Sequence, residues 1–324
     1  MKSFEIECSS CAKRNRVEVD RASAAPERVR CGGCGGRMFR GPEEPLTDID
    51  ADEFVHPLDR KALSALRHIP GVESVLKRLL GEVGDRRGRI LHLSTCVRIG
   101  EGQLPELLRL YERAGARLGV ASLPDLFLYQ SPIPQAYLLG VDAPVMAVSS
   151  GLLDLLEEDE LLGVMGHELT HWLCSHALYR TAAILVAALG ASVLGGLVPG
   201  GRAILTPMRL ALLEWSRSSE LSADRGELLV TGSLDTSIRT LLKLAGGSRR
   251  YGAALSVEAF MEQAARLEEE EEQSFVGKAM SFWMGMQATH PFAVWRAHHL
   301  QRFARSPEYF EILAGRYRKR LPAA

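Results

Sequence analysis

Two histidines four residues apart, His167 and His171, stand with Glu168 beside the first in the stretch VMGHELTHWLCSH. On a helix, residues i and i+4 share one side, so the two imidazoles can grip a single metal ion. Glu168 is displaced by one residue, close enough to take a proton from an activated water without ligating the ion itself. A catalytic zinc needs three protein ligands and leaves its fourth tetrahedral position open. Downstream, EWSRSSELSADRGELL offers Glu220 as the third ligand and, one turn further on the same face, Asp224. Asp224 is placed to accept the outward N–H of a ligating histidine, which fixes its tautomer and raises its basicity.

These groups need rigid carriers. Between residues 158 and 176 the apolar side chains Leu161, Leu162, Met165, Leu169, Trp172 and Leu173 recur at helical spacing, predicting one long helix. The stretch around Glu220 predicts a second. Upstream, PDLFLYQSPIPQAYLLGVDAPVMAVSSGLLDLL predicts strands near residues 126–130, 136–140 and 145–148.

A second metal pattern opens the chain. CSSC (Cys8, Cys11) and CGGC (Cys31, Cys34) have the spacing of a structural four-thiolate zinc site, each pair forming a knuckle with two ligands. A disulfide pair or a redox C-x-x-C is the alternative. Between the pairs, RNRVEVD and ERVR alternate as short strands do. So small a segment cannot bury a core of its own, and zinc would serve as one. Cys96 and Cys174 read as buried small hydrophobes.

The composition, 46% hydrophobic and 24% charged over 324 residues, excludes wholesale disorder. A formal net charge of -1 gives no reason to expect nucleic acid as the main partner. The opening MKSFEIECSSC lacks a basic and apolar secretory leader, so a cytoplasmic protein is expected, with contact at the cytoplasmic face of a membrane allowed. Residues 181–200 are uncharged and long enough to span a bilayer, but glycines break the run. A single crossing would also separate His171 from Glu220. A soluble or membrane-touching protein is favoured over an integral one.

Taken together, HELTHWLCSH, then SELSADR, then ATHPFAVWR resemble the M48 zinc metallopeptidases, which include Ste24-type CAAX-processing proteases and bacterial HtpX. The likeness runs from about residue 90 to the C-terminus. It implies a mainly helical α+β fold, a zincin (gluzincin) core with a small strand region, behind an N-terminal zinc ribbon. It implies His167, His171 and Glu220 as zinc ligands, Glu168 as general base and acid, and Asp224 behind a ligating histidine. His290 falls at the family's His-Pro position, where it would stabilise an oxyanion or approach the metal. His176 and Arg296 are expected to hold helices to the core, and His298 and His299 to lie on a helix surface. The strand opened by Gln135, Ala136 and Tyr137 would pair an extended peptide. Gln135 stands where relatives commonly have Asn, which leaves a role for that side chain in doubt.

The expected organisation is a ribbon at residues 1–41, an acidic linker at 42–56, a helical arm at 57–89 and a peptidase domain at 90–324. The expected cofactors are two Zn2+ ions, one catalytic and one in the ribbon. The substrate would be an unfolded or extended protein, with a protein partner for the ribbon as a further possibility. The competing reading is a catalytically latent scaffold that binds partners on a protease fold.

Overall fold

The chain begins with a hairpin, β1 (Ser3–Glu7) antiparallel to β2 (Arg14–Glu18), with Phe4 opposite Val17. Phe4, Ile6 and Val17 alternate with polar residues and are buried, as a half-covered strand requires. The computed structural model describes residues 3–68, 82–120, 122–140, 143–180, 201–248, 250–273 and 293–320. After β2 comes a short helix, α1 (Val19–Ala24). The alternating ERVR does not form the expected strand. Pro26 starts a tight 3-10 turn over Pro26–Arg28, and only an isolated bridge joins Arg30 to Arg37. Proline has no N–H for a ladder and its fixed φ suits a helical first position.

Residues 42–56 do not behave as a free linker. Leu46, Ile49 and Phe54 are fully buried. The Leu46 N–H bonds to the Arg117 carbonyl, and the Arg117 guanidinium bonds back to the carbonyls of Glu44 and Leu229. Average acidity concealed three apolar anchors in this stretch. It leads into α2 (Pro57–Arg67), which is capped by the His56 side chain accepting from the Leu58 N–H.

Next come α3 (Glu82–Thr95), β3 (Val97–Arg98), α4 (Pro105–Arg117), β4 (Asp125–Tyr129), β5 (Ala136–Leu139) and β6 (Val145–Ser149). The three longer strands lie within a residue of their expected positions. The sheet order is β3-β4-β6-β5, with β6 parallel to β4 and antiparallel to β5. Every residue of β6 is buried, so β6 forms the sheet's interior and β5 its edge.

The remaining elements are helices. These are α5 (Ser150–Leu155), α6 (Glu158–Leu173), α7 (Gly201–Thr231), α8 (Leu234–Gly246), α9 (Val257–Gln273), α10 (Ala293–Ala304) and α11 (Pro307–Leu313). A reciprocal box between Glu157 and Glu160 starts α6. The helix stops at Leu173 rather than running to residue 176, because Ser175 takes a left-handed φ of 57°. His299 does not sit on an open helix surface. Its ring meets Trp295 at 4.5 Å and His56 at 5.2 Å, and burial pulls its pKa down to about 4. His298 is half-buried beside Glu268. His290 and residues 181–200 lie outside the described residues, and among the described residues no helix is long and apolar enough to cross a membrane.

Among the described residues two large apolar cores carry these elements, with a small third one at Phe127, Val145 and Ala147 in the sheet. One large core joins α4, the sheet and α6. The other joins the first forty residues to α10 and α11, and Phe4 stacks on Phe310 with centroids 4.5 Å apart. Between α6 and α7 the backbones approach closely through glycines. A Cβ on Gly166 would lie 2.7 Å from Val230, and one on Gly226 would collide with Thr170. Gly226→Ala is therefore expected to cost about 1–3 kcal/mol through overpacking. Thermal unfolding should show a lowered Tm, and an unchanged Tm would mean that the helices tolerate separation.

Candidate functional site

Helices α6 and α7 bring together the residues singled out in the sequence. His167 and His171 lie one turn apart on α6, with their Nε2 atoms 3.2 Å from each other. The Glu220 carboxylate on α7 faces both, Oε2 at 3.4 Å from His167 Nε2 and Oε1 at 3.4 Å from His171 Nε2. All three side chains are buried. Metal bonds of roughly 2.0–2.1 Å at tetrahedral angles separate ligand atoms by roughly 3.3–3.4 Å. Each imidazole thus meets its own Glu220 oxygen at that separation, one ligand atom from each residue lies within 4.8 Å of the others, and the residues fit the metal that their types suggest.

A second layer holds these donors. His167 Nδ1 lies 3.2 Å from Asp224 Oδ1 and 3.7 Å from Glu227 Oε2. Arg296 on α10 grips Asp224 with two bonds of 2.8 and 2.5 Å and reaches Glu220 at 3.3 Å. Burial pushes the Asp224 carboxyl up, but the Arg296 charge and hydrogen bonds outweigh it and leave it lowered. The two imidazoles diverge. Burial pulls both down, yet the carboxylates of Asp224, Glu220 and Glu227 carry His167 well above its ordinary value, while His171, nearer Arg180, stays well below. Arg296 thus ties α10 directly to the donor set.

Glu168, also buried, points toward the sheet. Its Oε2 accepts the Leu138 N–H of β5 at 3.1 Å and pairs with Arg180 at 3.2 Å. The Ser149 N–H bonds to the Gln135 carbonyl, so Gln135, Tyr137 and Leu139 turn their backbone groups to β6. Ala136 and Leu138 turn theirs away, toward α6. The Tyr137 side chain leaves in another direction, its hydroxyl 2.9 Å from His92 Nε2 on α3. Gln135 accepts from the Tyr129 hydroxyl at 3.5 Å, and Ala136 is buried. What β5 presents beside Glu168 is backbone.

At the chain's start the four cysteines converge. Cys8 and Cys34 sulfurs lie 3.7 Å apart, Cys11 and Cys31 3.6 Å, and all four fall within 4.8 Å of one another. All six cysteines are unbridged. Zinc–sulfur bonds of roughly 2.3 Å at tetrahedral angles separate sulfurs by roughly 3.8 Å. The knuckle N–H groups of Ser10 and Gly33 point at Cys8 and Cys31 sulfurs. Such backbone bonds, from Cys34 and Gly33, lower the Cys31 thiol to about 6.

Three residues of the site went unrecognised in the sequence. Glu227 continues the Glu220 face two helical turns on, so heptad spacing carried a signal for it. Arg180 and Asp59 (whose partners are His176 and Ser222) carried none, because only the folded chain brings them to the donors.

The model for Peptidase family M48 matches residues 103–304. The chain is 36% identical over 275 residues to the plastoglobule-localized metallopeptidase 48, chloroplastic, of Arabidopsis thaliana, covering 84% of this chain and 78% of that protein. It is 25% identical over 240 residues to a protease HtpX homolog of Ralstonia pickettii, covering 68% and 81% respectively. No solved structure matches the chain. With the family match spanning most of the chain, including α6, α7 and Arg296, the protein belongs to peptidase family M48 and is a metalloprotease.

Proposed function

We propose that this chain is a zinc-dependent endopeptidase of the zincin type that cleaves extended or unfolded protein segments, and that its N-terminal ribbon holds a structural zinc. The observation that carries the reading is the meeting of His167, His171 and Glu220 at tetrahedral separations, with Glu168 one residue from the first ligand and hydrogen-bonded to an edge strand.

His167 and His171 through Nε2, and Glu220 through its carboxylate, would hold the ion. Zinc bound there supplies Lewis acidity toward water and toward the scissile carbonyl. Glu168 takes the proton of the attacking water and returns it to the leaving amine. Arg180 fixes the orientation of that carboxylate, and before substrate binds the Leu138 N–H holds it as well. The outward backbone of Ala136 and Leu138 would pair an extended peptide as an added strand, which a compact domain cannot supply. By its resemblance to the family's His-Pro position, His290 would stabilise an oxyanion or approach the metal. Asp224 fixes the His167 tautomer, and Arg296 offsets the charge of both carboxylates.

One observation favours a latent state. The Glu168 carboxylate is engaged by both Arg180 and the Leu138 N–H, the same edge that a substrate would use. Substrate binding in this reading displaces the Leu138 contact.

Glu168→Gln should keep its full zinc content yet cleave fluorescent casein about 10²–10⁴-fold more slowly than wild type. Glu220→Ala should lose the catalytic zinc and retain the ribbon's, read by metal analysis of the purified protein. Full cleavage by either variant, after parallel purification, would defeat the assignment. In Cys31→Ser the ribbon zinc should be lost, and because the ribbon shares a core with α11, Tm should fall as well. A Tm equal to wild type would show that the ribbon folds without its ion.

A further inference from the structure

His171 has a second face, turned away from Glu220, and the contacts there lead out of the two ligand helices. His171 Nδ1 lies 3.0 Å from His176 Nδ1, and His176 Nε2 lies 2.9 Å from Asp59 Oδ2. Ser222, between Glu220 and Asp224 on α7, donates its hydroxyl to the same Asp59 oxygen at 2.6 Å. His171, His176, Asp59 and Ser222 are each at most 1% exposed.

The hydrogens in this chain are determined once His171 Nε2 serves a metal. The His171 ring then carries its hydrogen on Nδ1 and donates to His176 Nδ1. His176, accepting there, carries its own hydrogen on Nε2 and donates to Asp59. One tautomer assignment serves both imidazoles. The early end of α6 makes this possible. The left-handed Ser175 turns the chain so that the His176 N–H bonds to the His171 carbonyl at 2.8 Å, and the His176 ring lies edge-on to Trp215 at 5.4 Å.

Asp59 belongs to α2, outside the residues 103–304 that match the family. A carboxylate there is costly to bury. Its Oδ1 has no hydrogen-bond partner among the described residues, so His176 and Ser222 provide the compensation. Mere docking of α2 would be served by an apolar residue, such as the fully buried Leu66 on the same helix. The His56 N–H adds a 2.9 Å bond to Ser222 Oγ, so the start of α2 is fixed to the ligand helix itself.

We propose that Asp59 is a positioning residue of the metal centre, acting through His176 to set the tautomer and ring orientation of His171. The proposal rests on the metal-site reading given above. Each histidine ligand then has a carboxylate behind it, Asp224 directly for His167 and Asp59 through one imidazole for His171. The N-terminal arm thereby completes the site.

The test uses the full chain loaded with cobalt, because thiolate and nitrogen–oxygen sites absorb differently and report separately. Asp59→Asn keeps the size of the side chain and one acceptor oxygen but removes the charge. It should weaken cobalt and zinc binding at the histidine–glutamate site by about tenfold, the low end for outer-shell partners. It should also shift that site's visible spectrum and lower kcat more than KM, with the ribbon's thiolate bands unchanged. Leu66→Ala loosens α2 packing without touching the chain of contacts, and should lower Tm while leaving metal affinity intact. Wild-type affinity and spectrum in Asp59→Asn would overturn the proposal. So would equal weakening in Leu66→Ala, which would make the contact one of packing alone. Cobalt uptake by wild type at the thiolate site only would remove the metal reading itself, and the positioning role with it.

Discussion

The close approach of α6 and α7 is the constraint on which the rest of the molecule depends. Two of the proposed ligands sit on one helix and the third on the other, so the separation of the backbones sets both distances from Glu220 to the imidazoles. Glycine at 166 lets Val230 pack against the α6 backbone, and glycine at 226 admits the Thr170 side chain. With larger residues the helices would part, and a glutamate of fixed reach would no longer meet both imidazoles. Helix packing distances follow from side-chain size at the contact, and here that size is at its minimum.

So close an interface buries charge, and buried charge needs partners. Asp224 and Glu220 meet Arg296, Glu168 meets Arg180, and Asp59 meets His176. The paired groups come from five segments: α2, α6, the stretch after α6, α7 and α10. Each of these elements is therefore tied to the donors by a directional contact as well as by apolar packing. The proposed metal site and the assembly of helices around it are in this sense one structure.

The cysteine-bearing start of the chain is bound into the same molecule by a different force. Its apolar side chains, among them Phe4, Ile6, Val17 and Phe39, belong to a segment too small to form an independent core. They complete one with Phe303, Phe310 and Leu313 from the last two helices. Four thiols converge at one end of the hairpin, and stacked aromatics fix its apolar side.

The sequence by itself determined the candidate donor set, because i, i+4 spacing on a helix is a local property. His167, His171, Glu168, Glu220 and Asp224 were legible from it, as were the cysteine pairs and the three sheet strands. Local composition misled where a few residues outweighed the average, as with Leu46 and Ile49 in an acidic stretch and Pro26 in an alternating one. Only the tertiary structure decided which groups stand behind the donors. Asp59 and Ser222 are 163 residues apart, and Asp224 and Arg296 are 72 apart. No periodicity links such pairs. Their meeting follows from how α2 and α10 dock on α7, which side-chain packing over the whole chain sets and no short stretch encodes.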